Sequence, residues 1–194
     1  MQLSQLFNLK QIETFTSFLV PIIYDNDEDA ELILELRKRK SDNFLKTTSF
    51  NITDQKLYLE KYIIRNKKYE EIYFKIFDKV KKDYKGVVRI TELLSKENYN
   101  WESFVVAEDC TPILPIDVMI SIYQIGFEYL DKEKIGPWCV NKEHKKMMKI
   151  HEKCNMYCHE FEDNNYFWIS VKKTDYFDNV AKFKKMGLGI KMYA

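Results

Sequence analysis

The chain has 194 residues, a length that fits one domain with a small appendage at either end. Hydrophobic residues make up 45% and charged residues 31%, which supplies a packed core and excludes fibrous and disordered classes. The 31 Lys+Arg against 30 Asp+Glu leave a formal charge of +1, which argues against nucleic-acid binding through bulk electrostatics, and no apolar run reaches membrane-spanning length.

Residues 1–16 read as a short amphipathic helix with Leu3, Leu6, Phe7 and Leu9 on its apolar side. They lack the continuous apolar segment of a signal peptide, so a cytoplasmic protein with reduced cysteines (Cys110, Cys139, Cys154, Cys158) is expected. Residues 18–24 form a dense apolar run, and Pro21 near its middle points to a first or edge strand. Asp25, Asn26 and Asp27 offer caps for a helix whose stripe is Ala30, Leu32, Ile33, Leu34 and Leu36. The basic run Arg37-Lys38-Arg39-Lys40 has acidic neighbours and reads as a solvated face. After Ser49-Phe50-Asn51-Ile52, Thr53 supplies half a capping box for a second helix carrying Leu57, Leu59, Tyr62, Ile63 and Ile64.

From Glu71 the period changes to two. Ile72, Phe74 and Ile76 alternate with Tyr73, Lys75 and Phe77, a turn follows at 82–86, and 86–91 returns as the second arm of a hairpin. Residues 101–107 give a central strand, and 108–115 a loop with two prolines. An amphipathic helix is predicted over 116–130, a short strand over 135–140 and a basic helix over 142–153. Strands at 156–161 and 166–171 and a helical tail at 175–185 complete an α/β (α+β) mixed sheet with helices on both faces.

This order of elements resembles a GNAT-superfamily acyltransferase domain over roughly residues 18–173, with residues 1–17 and 174–194 as short helical additions to one domain. Val20-Pro21-Ile22 and the segment from Asp29 to Arg37 resemble the first strand and helix of many such enzymes, and Gly86-Val87-Val88-Arg89-Ile90 resembles their third strand. Members commonly carry an asparagine, a tyrosine seven residues on, and a glycine and phenylalanine after four more. Those offsets fall on His144, His151, Asn155 and Met156 here. Asn155 suits the left-handed residue that ends a helix, and Met156 suits a core position. The chain is similar to a branch associated with nucleotide-sugar and surface-polysaccharide synthesis through Arg37 to Ser41, Trp101-Glu102-Ser103-Phe104 and Ile150-His151-Glu152-Lys153.

The resemblance implies transfer of an acetyl group from acetyl-CoA to an amine of a small molecule, such as a nucleotide-linked amino sugar. It places the donor's pantetheine arm along Phe104, Val105, Val106 and Ala107 by edge pairing, with His144 near that arm. The pyrophosphate would sit on the loop holding Thr111, Ile113 and Leu114, at the N-terminus of the following helix. That loop has no glycine. Pro112 and Pro115 each remove a donor, while Asp109 and Asp117 bring negative charge. A loop that merely caps a core helix, in a GNAT-fold binding or assembly module without transfer activity, is therefore the competing expectation.

His151 is the expected general acid for the departing thiolate, since an ordinary imidazole titrates near neutrality; an inert histidine on a basic helix is the alternative. Glu102 is the expected base, and Glu92 is a second carboxylate near a strand end. Arg89 suits an acidic group on the acceptor, or a carboxylate at the edge of the core. His151, Cys154, Cys158 and His159 lie within nine positions, but a helix and a strand separate them and the spacing fails zinc patterns, so no metal is expected. The aromatic ends, with Phe7, Phe15, Phe18, Tyr176, Phe177 and Phe183, offer a contact for a homodimer.

Overall fold

The computed structural model describes residues 2–23, 27–39 and 51–191, apart from the side chains of Arg39 and Lys146. The caps Asp25 and Asn26, the Lys40-Ser41 end of the basic run, and Ser49-Phe50 fall outside those residues.

The change from a period of two to one near 3.6 along the sequence becomes eight strands and six α-helices among the described residues. They run α1 (Leu3–Phe7), β1 (Ile12–Glu13), β2 (Ser17–Pro21), α2 (Glu28–Arg39), α3 (Ile52–Lys67), β3 (Ile72–Asp78), β4 (Asp83–Thr91) and β5 (Asn98–Val106). Then follow α4 (Leu114–Gln124), β6 (Lys134–Asn141), α5 (Lys145–Cys154), β7 (Tyr157–Glu162), β8 (Tyr166–Lys172) and α6 (Lys173–Lys185). The strands form one sheet in the order β1-β2-β3-β4-β5-β6-β8-β7, in which only β5 and β6 pair in parallel. This is the expected mixed α/β sheet. No described helix is long and apolar enough to cross a membrane.

Apolar residues on the two faces make two cores. One gathers Leu19, Phe74, Val88, Tyr99, Trp101 and residues of α4, α5 and α6. The other packs Ala30, Ile33 and Leu36 of α2 and Leu59 and Tyr62 of α3 against Tyr73, Val87 and Val105. Tyr62 ties that layer together: its hydroxyl donates to the Ile22 carbonyl (3.1 Å) and accepts the Tyr73 amide (3.1 Å).

Several boundaries differ from the sequence expectation. The N-terminal helix ends at Phe7 instead of running on to residue 16. Ile12, Thr14 and Thr16 are β-branched at alternate positions, which favours the extended backbone seen there. β1 covers β2 only at Phe18 and Leu19, so Pro21 at the strand's end lies past the covered stretch, as an edge proline does. The cap of α3 is Asn51, whose side chain accepts the Thr53 amide at 2.9 Å, so Thr53 lies inside the helix. α4 starts two residues early at Leu114, with Pro115 in the first turn, where its missing N–H costs nothing.

α4 then widens into a π-helical turn over Ile125–Tyr129. Gly126 lies in that turn. A Cβ there would stand 1.8 Å from Cε1 of Tyr99, so only glycine lets the Tyr99 ring enter, and its hydroxyl donates to the Ile122 carbonyl at 2.7 Å.

Candidate active site

The Tyr99 anchor closes one end of a split in the sheet. β5 and β6 pair only through Asn98↔Lys134 and Tyr99↔Ile135. Beyond that point β5 continues to Val106 and β6 to Asn141 without a ladder between them, although the Asn100 side chain still reaches the Pro137 carbonyl (3.2 Å). The β6-facing edge of β5 from Trp101 onward is therefore open to pairing by an extended ligand. Trp101 and Trp138 face each other edge-on at 5.4 Å where the split begins.

A bulge shapes that edge. Between the pairs Arg89↔Glu102 and Val87↔Val105, one residue of β4 opposes Ser103 and Phe104, and Ser103 takes φ +52. The extra residue reverses the alternation along β5. Trp101 and Phe104 both join the α4 side, while Val105 joins the α2/α3 side, with Ser103 bonded to the Tyr73 hydroxyl there. No glycine or other sequence signal marks this bulge, and the sequence reading missed it.

His151 does reach the split, but in an unexpected state. It is 2% exposed, and its ring packs against Trp138 (5.6 Å), Tyr157 (6.2 Å) and Trp101 (6.5 Å). Burial, helped by His144 nearby, pushes its pKa down to about 4, so the ring is neutral at pH 7. The cause is desolvation of a histidine on a helix turned toward two tryptophans. Its Nε2, the Trp101 Nε1 and the Tyr123 hydroxyl are all buried without a hydrogen-bond partner among the described residues. His144 caps α5 by accepting the Met147 amide at 3.3 Å. Asn155 ends the helix at φ +53, ψ +38, and Met156 is 1% exposed, both as expected.

Glu102 and Arg89 meet on the opposite face. Arg89 bonds the Glu102 carboxylate, the Tyr58 hydroxyl (2.6 Å) and Glu71 (3.2 Å), and Glu71 also takes the Arg65 Nε (2.8 Å). Burial works against the Arg89 charge, but Tyr58, Glu102 and Glu71 more than offset it and raise its pKa. Arg89 is therefore the partner of core-edge carboxylates, the second of its two sequence readings. Glu102 stays 44% exposed and faces solvent beside it. Glu92 is not part of this group. It follows β4 at φ +59, exposed, at the closed end of the split, where buried Lys132 donates to the Leu93 and Ser95 carbonyls.

No protein-family model matches the chain, and no curated protein matches it. Solved structures do. The apo form of FdhC, a nucleotide-linked sugar GNAT, aligns with TM-score 0.77 and 23% identity, over 91% of this chain and 98% of that one. The Campylobacter jejuni N-acetyltransferase PseH in complex with acetyl coenzyme A aligns with TM-score 0.59 and 18% identity, over 79% and 96%. A dodecameric spermidine N-acetyltransferase from Vibrio cholerae aligns with TM-score 0.61 and 16% identity, over 84% and 97%. The chain has the GNAT fold.

The segment after β5 is the one that the sequence resemblance assigns to the donor. Its charges are handled differently from the sequence expectation. Asp117 is fully buried and turned inward, accepting from Thr14 Oγ1, Thr16 N and Thr16 Oγ1 (2.7 Å each) and from Gly189 N (2.7 Å). Asp109 pairs with Lys85 at 2.8 Å. Among the predicted donor-binding residues, Val105, Val106, Ala107 and Leu114 are buried, and Phe104 packs on Trp101 at 5.1 Å. Thr111 gives both its amide (2.7 Å) and its hydroxyl (2.8 Å) to Asp78, and Leu114 gives its amide to Thr111. The amides of Ile113 and Ile116 go to no described residue, which leaves two donors at the start of α4.

Two further groups of residues named in the sequence have the following places. Tyr176 and Phe183 lie in the core and are not available to a second copy, whereas Phe15 and Phe177 are more than 40% exposed. Cys158 donates to Asp175 (3.0 Å) and His159 packs on Phe167 (5.7 Å), so neither turns toward buried Cys154.

Proposed function

We propose that this chain is an N-acyltransferase that moves an acetyl group from acetyl-CoA to an amine of a small molecule, with a nucleotide-linked amino sugar as the acceptor class. The observation that carries the reading is the open β5 edge with its bulge at Ser103 and Phe104, beginning beside the two tryptophans. An extended amide-bearing arm can pair there as an added strand, and the amides of Ile113 and Ile116, without a partner among the described residues at a helix N-terminus, suit an anionic diphosphate. The likeness to a nucleotide-linked sugar GNAT supports the acceptor class.

The chemistry follows from those parts. The amine attacks the thioester carbonyl carbon, the C–S bond breaks, and main-chain N–H groups of β5 stabilise the charge that develops on oxygen. Glu102, held in orientation by Arg89, or water takes the proton that the nitrogen loses, and the departing thiolate takes a proton from water, giving free thiol and amide. His151 acts as a neutral hydrogen-bonding group beside the split, and carries no proton cargo at pH 7.

The competing reading, a binding module without transfer, draws on the glycine-free loop and on the Thr111 amide being taken by Asp78. Calorimetric titration with acetyl-CoA, followed by a thiol-release assay on a panel of amines and amino sugars, decides between them. Micromolar binding and amine-dependent thiol release are expected. No heat with acetyl-CoA rejects the acyltransferase.

A further inference from the structure

A glycine-rich turn normally shapes a phosphate loop through backbone freedom; residues 107–113 contain no glycine. Alternate residues of the loop are tied instead to the β3–β4 hairpin. The Ala107 amide donates to the Lys85 carbonyl (2.7 Å), Asp109 accepts from the Lys85 ammonium (2.8 Å), and Thr111 gives its amide and hydroxyl to Asp78. Asp78 is the keystone. It is fully buried at the end of β3, and its carboxylate also takes the amides of Val80 (2.9 Å) and Lys81 (3.1 Å) in the hairpin turn. One carboxylate with four donors thus fixes two loops against each other. Immediately after Thr111 come the amides of Ile113 and Ile116, which have no partner among the described residues.

We propose that Asp78, acting through Thr111, is the positioning residue that holds the donor loop in shape so that the Ile113 and Ile116 amides grip the diphosphate of CoA. The proposal rests on the acyltransferase reading. Side-chain acceptance does here what glycine does elsewhere, and the pin explains why two prolines are tolerated: neither Pro112 nor Pro115 occupies a position whose N–H the pin or the grip needs. Burial pushes the Asp78 pKa up, but the bonds from Thr111, Lys81 and Val80 outweigh it and hold the carboxyl below its ordinary value, so the pin is ionised at working pH.

The test compares CoA with pantetheine, which lacks the diphosphate, on the full chain. Affinities are measured by calorimetry, directly for CoA and by competition for pantetheine, for wild type, Asp78→Asn, Thr111→Val and Thr111→Ser. Asp78→Asn is expected to weaken CoA about tenfold and Thr111→Val several-fold, with pantetheine affinity unchanged, and Thr111→Ser, which keeps both bonds, is expected to match wild type. Combining Asp78→Asn with Thr111→Val should weaken CoA no further than Asp78→Asn alone. Wild-type CoA affinity in Asp78→Asn, or equal losses for CoA and pantetheine, overturns the proposal and leaves the acyltransferase reading standing. Absence of CoA binding by wild type overturns both. If Asp78→Asn melts below the assay temperature, Thr111→Val decides alone, and unchanged CoA affinity there overturns the pin.

Discussion

Replacing His151 by phenylalanine should make the protein less sensitive to acid. The side chain is 2% exposed among Trp101, Trp138 and Tyr157, and burial lowers its pKa from 6.5 to about 4. The unfolded chain therefore binds a proton at this residue between those two values while the folded chain does not. Stability is full above about pH 6.5, falls as the pH drops toward 4, and is flat below that with respect to this group. At about 1.4 kcal/mol per pKa unit, the gap is worth about 3 kcal/mol once the pH reaches 4, and about 2 kcal/mol at pH 5. Phenylalanine keeps the aromatic packing and removes both the titrating group and an unpartnered nitrogen. Urea unfolding of both proteins from pH 4 to pH 8 measures the difference, and the carboxylates common to both cancel. The wild-type curve should fall away from the His151→Phe curve as the pH drops, by about those amounts. Parallel curves, together with a His151 ring titrating near 6.5 by NMR, would refute the buried neutral histidine and restore the imidazolium acid.

Gly126→Ala should destabilise the fold by about 3 kcal/mol in urea unfolding, because its Cβ would collide with the Tyr99 ring at 1.8 Å. The loss should shrink when Tyr99 is shortened to leucine; additive losses would deny the contact. Asn155→Gly should stabilise by about 0.5 kcal/mol and Asn155→Ala should cost about 1 kcal/mol, since the position holds φ +53; thermal melts that rank them otherwise would reject the left-handed cap. Asp117→Asn should cost about 2 kcal/mol or more, because one amide oxygen cannot serve Thr14, Thr16 and Gly189 together. Limited proteolysis should then release the C-terminal segment first, and an unchanged cleavage pattern would count against the clamp.

What the sequence made legible was whatever depends on near neighbours. The two-residue period from Ile72, the stripe of α2, the offsets ending in Asn155 and Met156, and the order of strands and helices from β2 onward all arise from contacts a few residues long, and each is where the pattern put it. Boundaries failed where a distant partner decided them. α1 stops early in a segment that carries Thr14 and Thr16, whose partners are Asp117 and the chain's C-terminal residues. The site was half legible for the same reason. His151 was found by its offset, but its protonation depends on two tryptophans from different strands. Arg89 and Glu102 were both named, yet only the β4–β5 register shows that they are partners.

The same dependence on distant partners is strongest in the proposed donor loop. Its missing glycine and its carboxylates Asp109 and Asp117 read, within residues 108–117, as signs that a phosphate cannot bind. Each sign depends on something the window does not contain. Asp109 is paired by Lys85, Asp117 is turned into a buried cage of hydroxyls and amides, and the turn that glycine would have shaped is held by Asp78, thirty-three residues upstream of Thr111. A loop can reach a given geometry by backbone freedom or by side-chain acceptors, and only the first leaves a local signature. The two differ in consequence. A glycine loop keeps its shape when neighbouring strands change, whereas this one shares a carboxylate with the β3–β4 turn through the amides of Val80 and Lys81. Any movement of that turn is therefore coupled to Thr111 and the amides that follow it.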